Sequence, residues 1–175
     1  PGGRARLSPY VEAAQFHKLF GYLPDPKYRH SEIREGLKKN HNEVKKIAEY
    51  WSAFCESGKR FEQRFYSDDR FLHSYLVYYF SVNIAKLQIC LLDLIREINI
   101  SQPTLNVIDF GLGTATTFIA VLDFIHAWKT TCDLYSQPFP IHRVTLTGFD
   151  QNPKVIEFTH QVMDSYRLAI LQRAQ

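Results

Sequence analysis

Cysteine, methionine and unbroken apolar runs are scarce in this 175-residue chain, which holds three cysteines and one methionine. Cys55, Cys90 and Cys132 are widely separated, and none sits in a Cys-x-x-Cys pair or a Cys/His set at zinc spacing. A disulfide scaffold and a structural zinc module are excluded on that ground. The cysteines are expected to be small core residues in a reducing compartment, which places the protein in the cytoplasm. The first residues lack an apolar signal core, so no secretion signal is expected. The most apolar stretch, Phe71 to Ile95, is interrupted by His73, Ser74, Ser81, Asn83, Lys86, Gln88 and Asp93. That many polar groups argue against a membrane span. The seven histidines are scattered, and no metal set is expected. Neither a Gly-x-Ser-x-Gly elbow nor a phosphate-loop Gly-Lys-Ser/Thr occurs, so hydrolase and nucleoside-triphosphatase chemistry have no support.

Aromatic residues are plentiful, with 13 Phe and 10 Tyr, and rings of that size can build a core even in a short chain. Charge is unevenly spread. Residues 1–66 carry 13 Lys/Arg against 8 Asp/Glu, and residues 67–175 carry 8 against 10. The basic excess favours an acidic partner, with RNA as one candidate, while a solvated helical face is the plain alternative. Tyr75, Tyr78 and Tyr79 have the chemistry to stack on bases, but their helical spacing in an apolar segment reads as core. Trp51 and Trp128 read as packing residues.

Local signals divide the chain into elements. Residues 1–7 read as a frayed start. Ser8-Pro9 opens a short helix to about Phe20, because serine caps and proline suits the first helical position. Gly21 to Pro26 breaks it. Ser31 is expected to cap one long helix reaching Glu56, with Lys38, Lys39, Lys45 and Lys46 on its outer face. Asp68-Asp69 opens a third helix to about Asn99, followed by a connector at Ser101-Gln102-Pro103. That helix is apolar almost all round, with a narrow stripe of Ser74, Ser81 and Gln88, and is expected to be buried on most sides. From residue 104 the pattern changes to strand (105–110), glycine turn, helix, a polar insertion at 129–142, a second strand (143–149), and a helix from Pro153 to about 172. The expected fold class is α/β: a helical N-terminal subdomain (1–103) followed by a strand–helix–strand–helix unit (104–175).

A glycine turn between a strand and the next helix lets the backbone approach a ligand at angles closed to other residues. The helix start adds free N–H groups and the positive end of a dipole. An acidic residue at the tip of the next strand, here Asp150, can accept hydrogen bonds from two ribose hydroxyls. Gly111 and Gly113 taken alone equally shape a tight turn, and Asp150 equally caps the helix opened by Pro153.

Val107-Ile-Asp-Phe-Gly-Leu-Gly-Thr-Ala115 resembles the first motif of class I S-adenosylmethionine-dependent methyltransferases. Thr147-Gly-Phe-Asp-Gln-Asn-Pro153 resembles their second strand and its acidic tip. The resemblance implies a Rossmann-like fold over residues 105–172, with the helical part lying over the site. It implies S-adenosylmethionine as cofactor, with Asp109, Gly111 and Gly113 at the methionine end, Asp150 on the ribose and Gln151 beside the adenine. This sequence departs from the pattern in three ways. Ala115 takes the third small position. Asp109 and Asp150 are 41 residues apart, against roughly 20 in the comparable nucleotide fingerprint. Only the first two of the family's strands are present, so the remainder of a longer chain or a partner subunit is expected to complete the pocket, and no catalytic residue is identified. Ile108-Asp-Phe110 and Leu146-Thr-Gly148 also resemble, more loosely, the plant GRAS regulatory domain, which implies a non-catalytic scaffold of the same fold that binds a protein or RNA partner.

Overall fold

The computed structural model describes residues 7–25, 27–58, 63–97 and 103–173. Of the frayed start expected over 1–7, residues 1–6 lie outside them, as do Asn99 and the first two residues of the connector expected at Ser101-Gln102-Pro103. The protein is mixed α/β and mostly helical. Helix α1 (Pro9–Phe20) starts as the sequence indicates, with the Ser8 side chain accepting from the Tyr10 N–H, and ends at Gly21 in a left-handed conformation. The long helix expected from Ser31 to Glu56 is two helices, α2 (Arg29–Lys39) and α3 (His41–Glu56). Asn40 separates them, its side-chain amide turned back onto the Gly36 carbonyl. Ser31 lies inside α2, its hydroxyl donating to the Tyr28 carbonyl rather than capping.

A 3₁₀ turn (Gln63–Ser67) leads into α4 (Asp69–Tyr75), capped by Asp68. One π-helical turn (Leu76–Phe80) joins α4 to α5 (Ser81–Glu97). The expected burial on most sides is not found: one side of the segment is buried and the other is open, with Tyr78 exposed already in its first half. Phe71, Leu72, Leu76, Phe80 and Ile84 are fully buried, whereas Val82, Leu92, Leu94 and Ile89, the last 61% exposed, face solvent. The side that faces inward carries the small polar stripe. Ser74 is buried and donates to the Arg70 carbonyl, Ser81 donates to Gln15 of α1, and Gln88 donates to Asp123. The stripe thus shares the inward side with Leu76, Phe80 and Ile84, and its polar groups are satisfied by hydrogen bonds there. By length and composition the continuous helix Asp69–Ile95 is apolar enough to cross a membrane.

Strand β1 (Thr104–Phe110) pairs in parallel with β2 (Arg143–Phe149), Asp109 opposite Gly148 and Phe110 opposite Phe149. Between them α6 (Thr116–Leu134) runs through the first six residues of the expected insertion. Lys129 bonds Asp133 one turn on, and the hydroxyls of Thr130 and Thr131 bond carbonyls four residues back, so these polar residues stay helical. Helix α7 (Pro153–Arg173) follows β2. One face of the strand pair, with Val107 and Leu146, packs on the core, and the other leaves Ile108 and Phe110 exposed.

The main core draws on both sides of residue 103: Val11, Leu72 and Phe80 pack with Leu112, Phe118 and Tyr166. A second, aromatic cluster centres on Trp51, Phe54 and Phe71. Of the cysteines expected in the core, only Cys132 is buried, while Cys55 and Cys90 are exposed on outer helix faces.

Candidate functional site

Gly111 and Gly113 both take positive φ, +92° and +54°, which lets the chain turn sharply from β1 toward α6. A Cβ built on Gly111 meets nothing within 4 Å, and one on Gly113 meets only the Gly111 carbonyl oxygen at 3.9 Å. The space above the turn is therefore open. Ala115, the third small position, is itself left-handed and buried. No side chain caps the start of α6. The turn is fastened at both ends. The Gly111 N–H donates to the Phe149 carbonyl at 2.8 Å, and the Thr159 hydroxyl of α7 donates to the Gly113 carbonyl. Gly148 is needed for a different reason: a Cβ there would lie 2.1 Å from Leu112 and 2.9 Å from Phe118.

At the end of β2 the chain bends sharply. One Asp150 oxygen accepts from the Asn152 N–H, and the Asn152 side chain accepts from the Lys154 N–H. Asn152, then, is the residue that caps α7, with Pro153 at its first position. The Asn152 amide also donates to Ser67, tying the strand tip to the helical part of the chain.

These elements surround an open cavity of about 840 Å³ at the carboxyl ends of the strands. Four of the five site residues singled out from sequence line it: Gly111, Gly113, Asp150 and Gln151. Asp109 is absent from its wall. It lies on the inner face of β1, half-buried and hydrogen-bonded to Thr117 in the first turn of α6. Burial pushes its carboxyl above the ordinary range, Thr117 opposes that, and the nearby Asp150 carboxylate adds to it.

Tyr66 and Tyr75 line the same cavity from the helical side, and Phe110 and Phe149 line it from the strand tips. Burial first, then Tyr75 and Asp150, push the Tyr66 hydroxyl upward, so Tyr66 and Asp150 face a common space. Tyr66 carried no sequence signal. Tyr75 had one, but its helical spacing read as core. Tyr79 stacks on Tyr75, and Tyr78 stacks on Trp51 with 41% of its surface exposed. Asn152 was legible as the Asn-Pro of a helix start. No group of three or more His, Cys, Asp or Glu able to hold a metal occurs among the described residues.

Comparison with protein-family models, with curated proteins and with solved structures finds no match to this chain.

Proposed function

We propose that this chain binds S-adenosylmethionine at the carboxyl ends of β1 and β2 and forms the cofactor-binding portion of a Rossmann-like methyltransferase. One observation carries the reading. Two sequence stretches about forty residues apart, the glycine turn and the Asp150 tip, line one cavity and are joined by the Gly111–Phe149 hydrogen bond. Open α/β sheets take ligands at that edge. The residues fit the group. The glycine turn offers an unfilled concave surface to the methionine end, with Asp109 bracing the start of α6 beneath it. On this reading Asp150, whose first oxygen serves the local turn, takes the ribose hydroxyls with its second, and Gln151 takes the adenine edge. When bound, the cofactor supplies an electrophilic sulfonium methyl. The chain's own part is to hold and orient it, since alignment is the main protein contribution to such a transfer.

The exposed outer face of the strands, with Phe110 81% exposed, favours a second reading, a non-catalytic scaffold of the same fold that docks a protein. Calorimetric titration of S-adenosylmethionine into the full-length protein separates the two. Binding is expected, with Asp150→Ala at least about tenfold weaker, because hydrogen bonds to a charged group contribute roughly 1.5–3 kcal/mol each. Circular dichroism checks that the fold is kept. A well-folded protein that takes up no cofactor leaves the scaffold reading standing.

A further inference from the structure

Resting on the cofactor reading above, we infer that this cavity selects its ligand by positive charge, taking the sulfonium form in preference to the neutral thioether and rejecting phosphorylated nucleotides. The lining is the basis. Four aromatic rings, those of Tyr66, Tyr75, Phe110 and Phe149, stand around the cavity, and Asp150 is its carboxylate. No lysine, arginine or histidine occurs among the described lining residues. Ring faces attract cations through their quadrupole, and a nearby carboxylate adds to the attraction. The same carboxylate repels a phosphate, and among the described lining residues no basic side chain offsets that.

The rings are held in place before any ligand arrives. Phe110 and Phe149 stack at 5.3 Å between centroids and 15° between planes. Tyr66 packs edge-on against Phe71 at 5.0 Å, and Tyr75 stacks on Tyr79 at 5.1 Å. Tyr75 is the last residue before the π-helical turn. Gln15 of α1 clamps that turn, its amide donating to the Leu76 carbonyl at 2.8 Å and its oxygen accepting from Ser81. Pre-set rings lose little freedom on binding, so their preference for charge is retained in the affinity.

The test is calorimetric titration of the full-length protein with S-adenosylmethionine, S-adenosylhomocysteine and ATP. The sulfonium is expected to bind at least about fivefold tighter than the thioether, and ATP is expected not to compete. In the Tyr66→Leu/Tyr75→Leu variant the ratio is expected to fall toward one, with thioether affinity nearly unchanged. Tyr75→Phe, which keeps the ring, is expected to preserve the ratio and guards against a variant that fails to fold. Equal binding of the two nucleosides by wild type overturns charge selection and leaves the cofactor reading intact. So does a ratio unchanged in a folded Leu variant, or one lost in Tyr75→Phe. Binding of neither nucleoside overturns the cofactor reading and this inference with it.

Discussion

The Gly111 N–H donates to the Phe149 carbonyl at 2.8 Å, so the turn leaving the first strand is fastened to the last residue of the second. The bond carries the parallel ladder past Phe110 and fixes the spacing between the glycine turn and Asp150. Gly111 reaches that donor position with φ at +92°, and two residues later Gly113 turns the chain again at +54°. At Gly111 and Gly113 the chain therefore offers bare backbone to the cavity, and a Cβ at either would meet no side chain within 4 Å.

Two glycines near this floor are expected to fail for opposite reasons. Gly111→Ala has room for its methyl group but must hold a left-handed backbone, at a cost of about 1–2 kcal/mol. Gly148→Ala has an ordinary backbone but drives its methyl group into Leu112, an overpacking cost of about 1–3 kcal/mol. Urea denaturation measures both. A compensating Leu112→Ala change should recover part of the Gly148→Ala loss and none of the Gly111→Ala loss. The reverse pattern contradicts the assignment.

Asp109 is expected to work against stability at neutral pH. Its folded-state pKa is raised, mainly by burial and partly by Asp150, so the folded state holds the proton more tightly than the unfolded chain. Its contribution is fully present below the ordinary value of about 3.9 and is lost as pH rises through the raised folded value. Asp109→Asn removes the charge and keeps an acceptor for Thr117. The variant should be more stable than wild type at pH 7, and the gap should close below about pH 4. A less stable variant at pH 7 means that the dipole of α6 outweighs the burial.

Much of the chain was legible before the fold was known, where a local signal and its tertiary use agree. Ser8-Pro9 caps and starts α1, and the β-branched run Arg143–Phe149 is β2 with the boundaries read from sequence. The unreadable parts are those where tertiary contacts decide. Asn40 divides a segment whose apolar spacing continues across it. Along α4 and α5 the apolar count gave no indication of which side would face in, because Ser74, Ser81 and Gln88 find their partners on other helices. The turn and strand-tip pattern singled out four residues that line one cavity, Gly111, Gly113, Asp150 and Gln151, and a fifth, Asp109, that does not. Tyr66 left no local mark, and the helical spacing of Tyr75 read as core, because the aromatic cluster around Phe71 is what places both.

Acid should loosen the junction of α1, α4 and α7. His73 of α4 lies edge-on to Phe158 of α7, and Lys18 of α1 sits over the same ring at 4.4 Å. Burial, reinforced by Lys18, lowers the His73 pKa, and Asp69 opposes the shift. A base with a depressed folded pKa contributes stability above its ordinary value of about 6.5, and that contribution is lost as pH falls through the lowered folded value. Thermal midpoints taken between pH 7 and pH 5 should fall more in wild type than in His73→Phe. Parallel curves for the two proteins exclude His73 as the titrating group.

The lysines of α2 and α3 are expected to be poor anchors for nucleic acid. Lys38, Lys45 and Lys46 each lie within 3.6 Å of a glutamate one helical turn away, Glu35, Glu49 and Glu43 respectively. A phosphate must compete with those carboxylates. Fluorescence titration with single-stranded RNA at 50 and 200 mM salt should show no tight complex. Affinity that falls about a thousandfold or more between those salts, and disappears when the lysines are replaced, contradicts this reading.

The two sides of α5 should respond differently to truncation. Ile84 is fully buried, so Ile84→Ala is expected to cost about 2–5 kcal/mol. Ile89, 61% exposed, should tolerate alanine within about 0.5 kcal/mol. Leu87 and Leu91 are half-buried, so their alanine variants should fall between these two. The polar stripe gives a third comparison. Asp123 is buried and accepts from Gln88 of α5 and from the Tyr166 hydroxyl of α7. Gln88→Leu takes away one of those donors and should cost about 1–3 kcal/mol despite adding apolar surface. Chemical denaturation of the full-length protein ranks all five. The order Ile84, then Gln88, then Ile89 supports an inward polar stripe. A cost at Ile89 matching that at Ile84 means instead that the outer face of α5 is covered in solution, and the residues to test next are its neighbours Val82 and Leu92.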